Sequence, residues 1–347
     1  MSAQTDFSTR LIAWQKVYGR HDLPWQNTRD PYAIWVSEIM LQQTQVTAVI
    51  GYYQRFMQRF PSIKSLADAS QEEVLQYWSG LGYYSRARNL HNAAQTIMDE
   101  HGGKFPQDFE QIQTLSGIGR STAAAIASFA FNQNQTILDG NVKRVLARHY
   151  LIEGWTGTPK IEKQLWTLAE SLVPEQDMVA YTQGLMDLGA TICTRSKPKC
   201  TECPLIKTCK AYAQNSVAKL PTPKPKKAIP QKETIMLLIQ RGKEILLEKR
   251  PSTGIWGGLW SFPEIGQQEI ATQVALSRFG LNTEAEEPLP SIQHVFTHFK
   301  LEITPQPLHV VSKPLQANMP NLIWLPIEDA IGAALPTPVR NILLNLG

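Results

Sequence analysis

The chain has 347 residues, 43% hydrophobic and 18% charged, with 23 prolines, four cysteines and a formal charge of +4. That length supports two domains with a substantial core, and the composition is that of a folded, soluble chain. The start, Met1 to Asp6, lacks the basic and apolar regions of a signal peptide, and the longest apolar stretch, Ala123 to Phe131, is too short to span a bilayer, so a cytoplasmic chain with no membrane partner is expected.

Charge is unevenly divided. Residues 1–232 carry 26 Lys and Arg against 19 Asp and Glu, a balance of +7, whereas residues 233–347 carry 8 against 11, a balance of −3. A positive field on the first part points to a polyanionic partner.

Apolar residues recur at helical spacing throughout the first part, as at Val74, Leu75, Trp78 and Leu81 and again at Val142, Val145 and Leu146. A helix beginning after Pro31 puts Glu38 on a stripe with Ile34 and Trp35 one turn before it and Leu41 one turn after. Burial there raises a carboxyl pKa and suits a general acid, where a partly exposed helix shoulder would leave an ordinary glutamate. Next comes Leu115-Ser116-Gly117-Ile118-Gly119-Arg120-Ser121-Thr122, ahead of an alanine-rich helix. Gly117 and Gly119 free the backbone to turn so that amides at the following helix start can face a phosphate, the way a helix-hairpin-helix holds DNA; an ordinary turn between helices would read the same. Asp139 opens another helix about twenty residues on, where it can cap N–H groups.

All four cysteines lie within seventeen residues, spaced C-x6-C-x2-C-x5-C as Cys193, Cys200, Cys203 and Cys209. Four soft thiolates so confined suit a tetrahedral zinc ion or an iron–sulfur cubane better than two disulfides, and the single C-x2-C hook favours the cluster over a zinc ribbon. Arg195, Lys197, Lys199, Lys207 and Lys210 interleave with them, so an ordered loop would present positive charge to phosphates. The stretch KLPTPKPKKAIPQK at 219–232 reads as a semi-rigid basic linker. It separates an all-helical domain, residues 1–218, from a mixed α and β domain, residues 233–347. In the latter, Thr234 to Gln240 and Glu244 to Lys249 flank an Arg-Gly-Lys turn, Phe299, Leu301 and Ile303 alternate, and helical spacing returns at Ile270–Phe279 and Val339–Leu346.

Taken in order, the hairpin, the aspartate beyond it and the four-cysteine loop resemble the helix-hairpin-helix DNA glycosylases that carry a [4Fe–4S] cluster. The segments Trp35–Val46, Gly80–Leu90 and Met186–Ala190, the last leading into Cys193, narrow the resemblance to the adenine DNA glycosylases of the MutY type, over essentially the whole chain. The resemblance implies a multidomain fold: an all-α helix-hairpin-helix glycosylase domain with a [4Fe–4S] loop, then an α+β Nudix-like (MutT-like) domain that recognises 8-oxoguanine. It implies removal of adenine opposite 8-oxoguanine, and opposite guanine, from duplex DNA in base excision repair. Glu38 would protonate the leaving base and an ionised Asp139 would stabilise the oxocarbenium-like sugar.

Ser121 stands where strand-nicking relatives have lysine, and a hydroxyl cannot form an imine, so a monofunctional enzyme using water is expected, with Ser121 lining the pocket. Gln43 and Tyr83 would probe the stack around a flipped base, with Arg86, Arg88 and Lys143 adding positive charge. Phe296-Thr297-His298 would read the lesion. Two departures stand out: Thr297 replaces the usual serine and Ser116 the usual proline. The carboxylate run of working Nudix hydrolases is also missing, because Thr272 to Leu281 reads TQVALSRFGL. Two alternatives remain, a pyrimidine glycosylase of the same superfamily and a catalytically silent iron–sulfur DNA-binding regulator. No motif for a repair or replication protein partner is visible.

Overall fold

A computed structural model of the chain describes residues 3–225, 229–311 and 321–346. The chain packs into two compact units, Met1–Asp68 with Asn92–Lys226, and Ala69–His91 with Lys227–Gly347. Residues 226–228 of the expected linker lie outside the described residues, and the first strand of the second unit begins at Gln231, inside that linker.

The first unit is helical. Asp30 starts the helix Pro31–Leu41 by accepting the Tyr32 amide at 3.0 Å, with Pro31 at the first position, where its missing N–H costs nothing. Eight of that helix's eleven residues are buried, so it runs through the interior and carries Glu38 with it. Asp108 and Asp139 cap the helices Phe109–Thr114 and Gly140–Tyr150 in the same way. The core gathers Phe7, Leu11, Val145, Leu146, Tyr181 and Leu185 from the helices Ala3–Tyr18, Gly140–Tyr150 and Met178–Asp187. After Met178–Asp187 the chain widens into a turn closed by the Cys193 amide on the Leu188 carbonyl. Gly189 in that turn is obligatory, since a Cβ there would lie 2.5 Å from Asn141 Cβ. It lets the segment leading to Cys193 close onto the residues beside Asp139. No described helix is long and apolar enough to cross a membrane.

Among the described residues the second unit is built on a mixed sheet of eight strands: β1 (Gln231–Arg241), β2 (Glu244–Lys249), β3 (Trp260–Ser261), β4 (Glu264–Ile265), β5 (Thr283–Ala285), β6 (Ile292–Val295), β7 (Lys300–Val310) and β8 (Leu322–Pro326). The main path runs β3-β2-β1-β7-β5, with β1 and β7 parallel from Gln231↔Lys300 to Gln240↔His309. Pro305 and Pro307 sit in β7 between the stretches that pair with β6 and β5, where no ladder donor is needed. Leu237, Ile239, Leu246, Leu308 and the helix Ala271–Phe279 form the core. The sheet with its helices is the mixed architecture that the alternation at 299–303 predicts. Segment 69–91 belongs to this unit through specific bonds: Ser79 Oγ and Tyr84 Oη both donate to the Leu335 carbonyl, at 2.9 and 3.2 Å, and Lys249 pairs with Glu72 at 2.9 Å.

Candidate active site and cysteine loop

Glu38 lines a cavity of about 700 Å³ in the first unit, with Arg20, Trp25, Arg29 and Gln183 among its other walls. The side chain is largely buried, and its pKa is pushed up to about 8. Desolvation is the larger cause and the negative charge of Asp139 the second. Asp139 itself is raised by burial, but the Val142 amide donates to Oδ1 at 2.8 Å, and Asn141 and Arg144 oppose the shift. The two carboxyls therefore form a coupled pair, in which a charge on Asp139 favours keeping the proton on Glu38.

Asn141 reaches back to Asp139 Oδ2 at 3.5 Å and accepts from Arg144 Nη2 at 2.7 Å, while Arg144 Nε donates to the Cys193 carbonyl at 2.8 Å. A single helix thus carries the aspartate at its start and grips the cysteine loop along its side. Ser121 Oγ accepts the Leu138 amide at 3.0 Å, so this hydroxyl braces the chain immediately before Asp139. In the hairpin, Gly117 has φ 81°, Ile118 is buried and Gly119 caps the helix Arg120–Phe131. A Cβ on Gly119 would meet nothing within 4 Å, so the outer face of this turn is open to an external ligand. Gln43 and Tyr83 share an unusual property: both are exposed and both have left-handed backbones, φ 58° and 49°. Such strain in non-glycine residues concentrates at functional sites.

Residues 36–171 match the HhH-GPD superfamily of base excision DNA repair proteins, and residues 234–345 match the NUDIX domain. The chain is 42% identical to the adenine DNA glycosylase of Buchnera aphidicola subsp. Acyrthosiphon pisum, over 98% of this chain and 97% of that protein. It is 35% identical to the adenine DNA glycosylase of Homo sapiens, over 97% of this chain and 73% of that one. A thermostable thymine-DNA glycosylase structure superposes with a TM-score of 0.54 at 31% identity, covering 61% of this chain and 97% of its own. The chain belongs to the adenine DNA glycosylase family.

As a family member it is a DNA glycosylase with a helix-hairpin-helix domain followed by a Nudix-like domain. Arg20 and Gln183, which sequence reasoning missed, wall the same cavity as Glu38 and are fixed by the fully buried Asp187. Asp187 accepts from Arg20 N at 2.9 Å, Arg20 Nε at 2.6 Å and Gln183 Nε2 at 2.8 Å. The signal available was Asp187 inside Met186–Ala190, an acidic residue at a core position of its helix.

The four thiols line one small apolar cavity with Ile192, Pro198, Ile206 and Val217. Among the described residues no group of three or more His, Cys, Asp or Glu stands in a ready-made metal-holding array. The donor chemistry nevertheless fits a cationic iron–sulfur core. Burial, followed by repulsion from the other three cysteines, pushes the Cys203 thiol up to about 12, a cost that a bound metal core removes. Arg148 adds positive charge from the same helix as Arg144, its Nη1 lying 3.4 Å from Cys193 Sγ and 2.7 Å from the Thr194 carbonyl.

Three of the expected basic contacts have internal partners in this glycosylase. Arg86 is buried, its guanidinium over the Trp78 and Tyr83 rings and bonded to the Gly82 carbonyl, and burial lowers its pKa to about 10. Arg88 Nη1 donates to the Gly257 carbonyl at 2.7 Å, and Lys143 pairs with Glu162 at 2.5 Å. Thr297 and His298 are exposed at the tip between β6 and β7, with Phe296 half buried behind them.

Proposed function

We propose that this glycosylase removes adenine mispaired with 8-oxoguanine, and with guanine, from duplex DNA by hydrolysis without strand cleavage. The observation that carries the reading is Glu38 in the wall of a large cavity, its carboxyl pKa raised by burial and by the nearby Asp139 charge. Breaking the N-glycosidic bond asks for two things at once, a proton for the departing base and a negative charge near the sugar. Glu38 supplies the first and Asp139 the second. Gln183 and Arg29 offer donors and acceptors to a flipped purine in the cavity, and Gly117 and Gly119 present amides to a phosphate. Gln43 and Tyr83 enter the disturbed stack. Phe296, Thr297 and His298 read the opposite base, in a Nudix-like domain whose helix Ala271–Phe279 has no carboxylate and whose Arg278 instead pairs with Glu248.

Domain boundaries at 1–218, 219–232 and 233–347, a monomeric state and a cytoplasmic, nucleoid-associated location complete the reading. Cys193, Cys200, Cys203 and Cys209 would hold one [4Fe–4S] cluster, whose contribution is to order the basic loop that interleaves with them. Purified protein should contain about four irons and four sulfides per chain, and Cys203→Ser should lower both and weaken DNA retention in gel-shift assays. One zinc and no sulfide would contradict the cluster.

Two assays test the activity. Duplexes carrying adenine opposite 8-oxoguanine, adenine opposite guanine, or thymine glycol opposite adenine are incubated and then treated with alkali. Breaks at adenine alone support the proposal, breaks only at the pyrimidine favour the thymine-directed alternative, and no breaks favour a silent DNA-binding protein. The Ser121→Lys variant, which places an amine beside the segment leading to Asp139, should yield a borohydride-trapped covalent complex absent from the parent. A parent enzyme that traps as efficiently would contradict the hydrolytic reading.

A further inference from the structure

The Phe296–Phe299 turn is a short link whose two central side chains are exposed, so its shape must be set from behind. Its backbone closes through Phe296 N on Phe299 O at 2.9 Å. The Phe296 ring is stacked on Phe299 at 4.6 Å, meets His294 edge-on at 4.6 Å and lies against Trp256 at 5.2 Å. Trp256 also touches His294, at 5.5 Å, and is only 7% exposed.

Trp256 holds this place at a backbone cost. Its φ is 56°, a left-handed conformation uncommon for a bulky side chain, between Gly254 at φ 89° and Gly258 at φ 78°. Such strain persists where surrounding bonds over-determine it. Arg250 Nε donates to the Ile255 carbonyl at 3.2 Å, Gly258 N to the Pro251 carbonyl at 3.0 Å, and Arg88 Nη1 to the Gly257 carbonyl at 2.7 Å. The loop is thus locked on both sides of Trp256. Beside it opens a cavity of about 340 Å³, walled by Tyr83, Arg88, Trp256, Phe296 and Thr297. Aromatic walls with a hydroxyl at the rim suit a flat heteroaromatic base.

We propose that Trp256 is a positioning residue for the Phe296–Phe299 turn, and that discrimination between an oxidised and a normal purine opposite adenine passes through it. Arg88 serves the same end by holding the Trp256 loop. The inference rests on the reading that this turn recognises the opposite base.

The test compares single-turnover adenine release from duplexes with 8-oxoguanine or guanine opposite adenine, using the full chain with Trp256→Leu, with Trp256→Phe, and with Phe296, Thr297 and His298 all changed to alanine. Trp256→Leu keeps an apolar filling but loses the ring contacts, and the 8-oxoguanine-to-guanine rate ratio should fall on the order of tenfold, the scale of two lost aromatic pairs. Trp256→Phe, which restores a ring, should recover most of that ratio. Equal slowing on both duplexes with Trp256→Leu, or a ratio that Trp256→Phe fails to recover, would overturn the assignment, since a purely structural defect acts on both substrates alike. If the triple alanine variant collapses the ratio and Trp256→Leu does not, the Trp256 inference alone fails. A ratio untouched by the triple variant sinks the recognition reading beneath it.

Discussion

Replacing Asp139 with asparagine is expected to reduce adenine excision by about 10³-fold or more, while binding of the lesion duplex and the melting temperature stay close to those of the parent. Asparagine caps a helix about as well as aspartate, so the bond from the Val142 amide at 2.8 Å survives the change. What disappears is the negative charge that a developing oxocarbenium ion needs. Single-turnover rates, paired with gel-shift titrations, separate the two effects. Excision that stays near the parent rate would show that Asp139 is only a cap. A second consequence follows for its neighbour: without the Asp139 charge, the Glu38 pKa should drop from about 8, because one of its two raising causes has been removed.

Glu38→Gln is the other large effect, an expected loss of about 10²–10⁴-fold, the usual contribution of a positioned general acid. Glutamine preserves the size of the side chain and can still donate a hydrogen bond, but it cannot deliver a proton to the leaving base. The sign of the pH dependence follows from the raised pKa. Glu38 is protonated and active below about 8 and loses its proton, and with it the excision rate, as pH rises through that value. Asp139 acts in the opposite sense. Its anion must survive for activity, so the rate also falls on the acid side as that carboxylate takes up a proton.

The local structure around the candidate site residues was legible because it obeys local rules. Glu38 was visible from the apolar residues one turn away, and Ile34 and Trp35 are indeed buried beside it. Asp139 was visible as a helix start, and its cap bond is present. Gly117 was readable as a turn glycine and has a positive φ. The helical first unit and the mixed second one follow from the change in hydrophobic period near the proline-rich segment, where β1 begins at Gln231.

The remainder depends on contacts between residues far apart in sequence. Arg88 bonds to a carbonyl 169 residues away, and Arg20 to a carboxylate 167 residues away, distances over which no periodicity reports. Arg86 looks like a surface cation in sequence and is buried, because the Trp78 and Tyr83 rings can accept its guanidinium face. The inclusion of segment 69–91 in the second compact unit has the same origin. Its helix Gln71–Trp78 has an ordinary amphipathic pattern, and distant partners, the Gly332 carbonyl for Gln76 and Lys249 for Glu72, reveal which unit it joins.

Whether a protonated Glu38 and an anionic Asp139 together expel adenine is decided by the pH profile of single-turnover release of free adenine from a duplex with adenine opposite 8-oxoguanine. The rate should be high at neutrality and fall above about pH 8, with that alkaline limb missing from the residual activity of Glu38→Gln. A rate that climbs through pH 8, or no adenine released at any pH, would contradict that assignment.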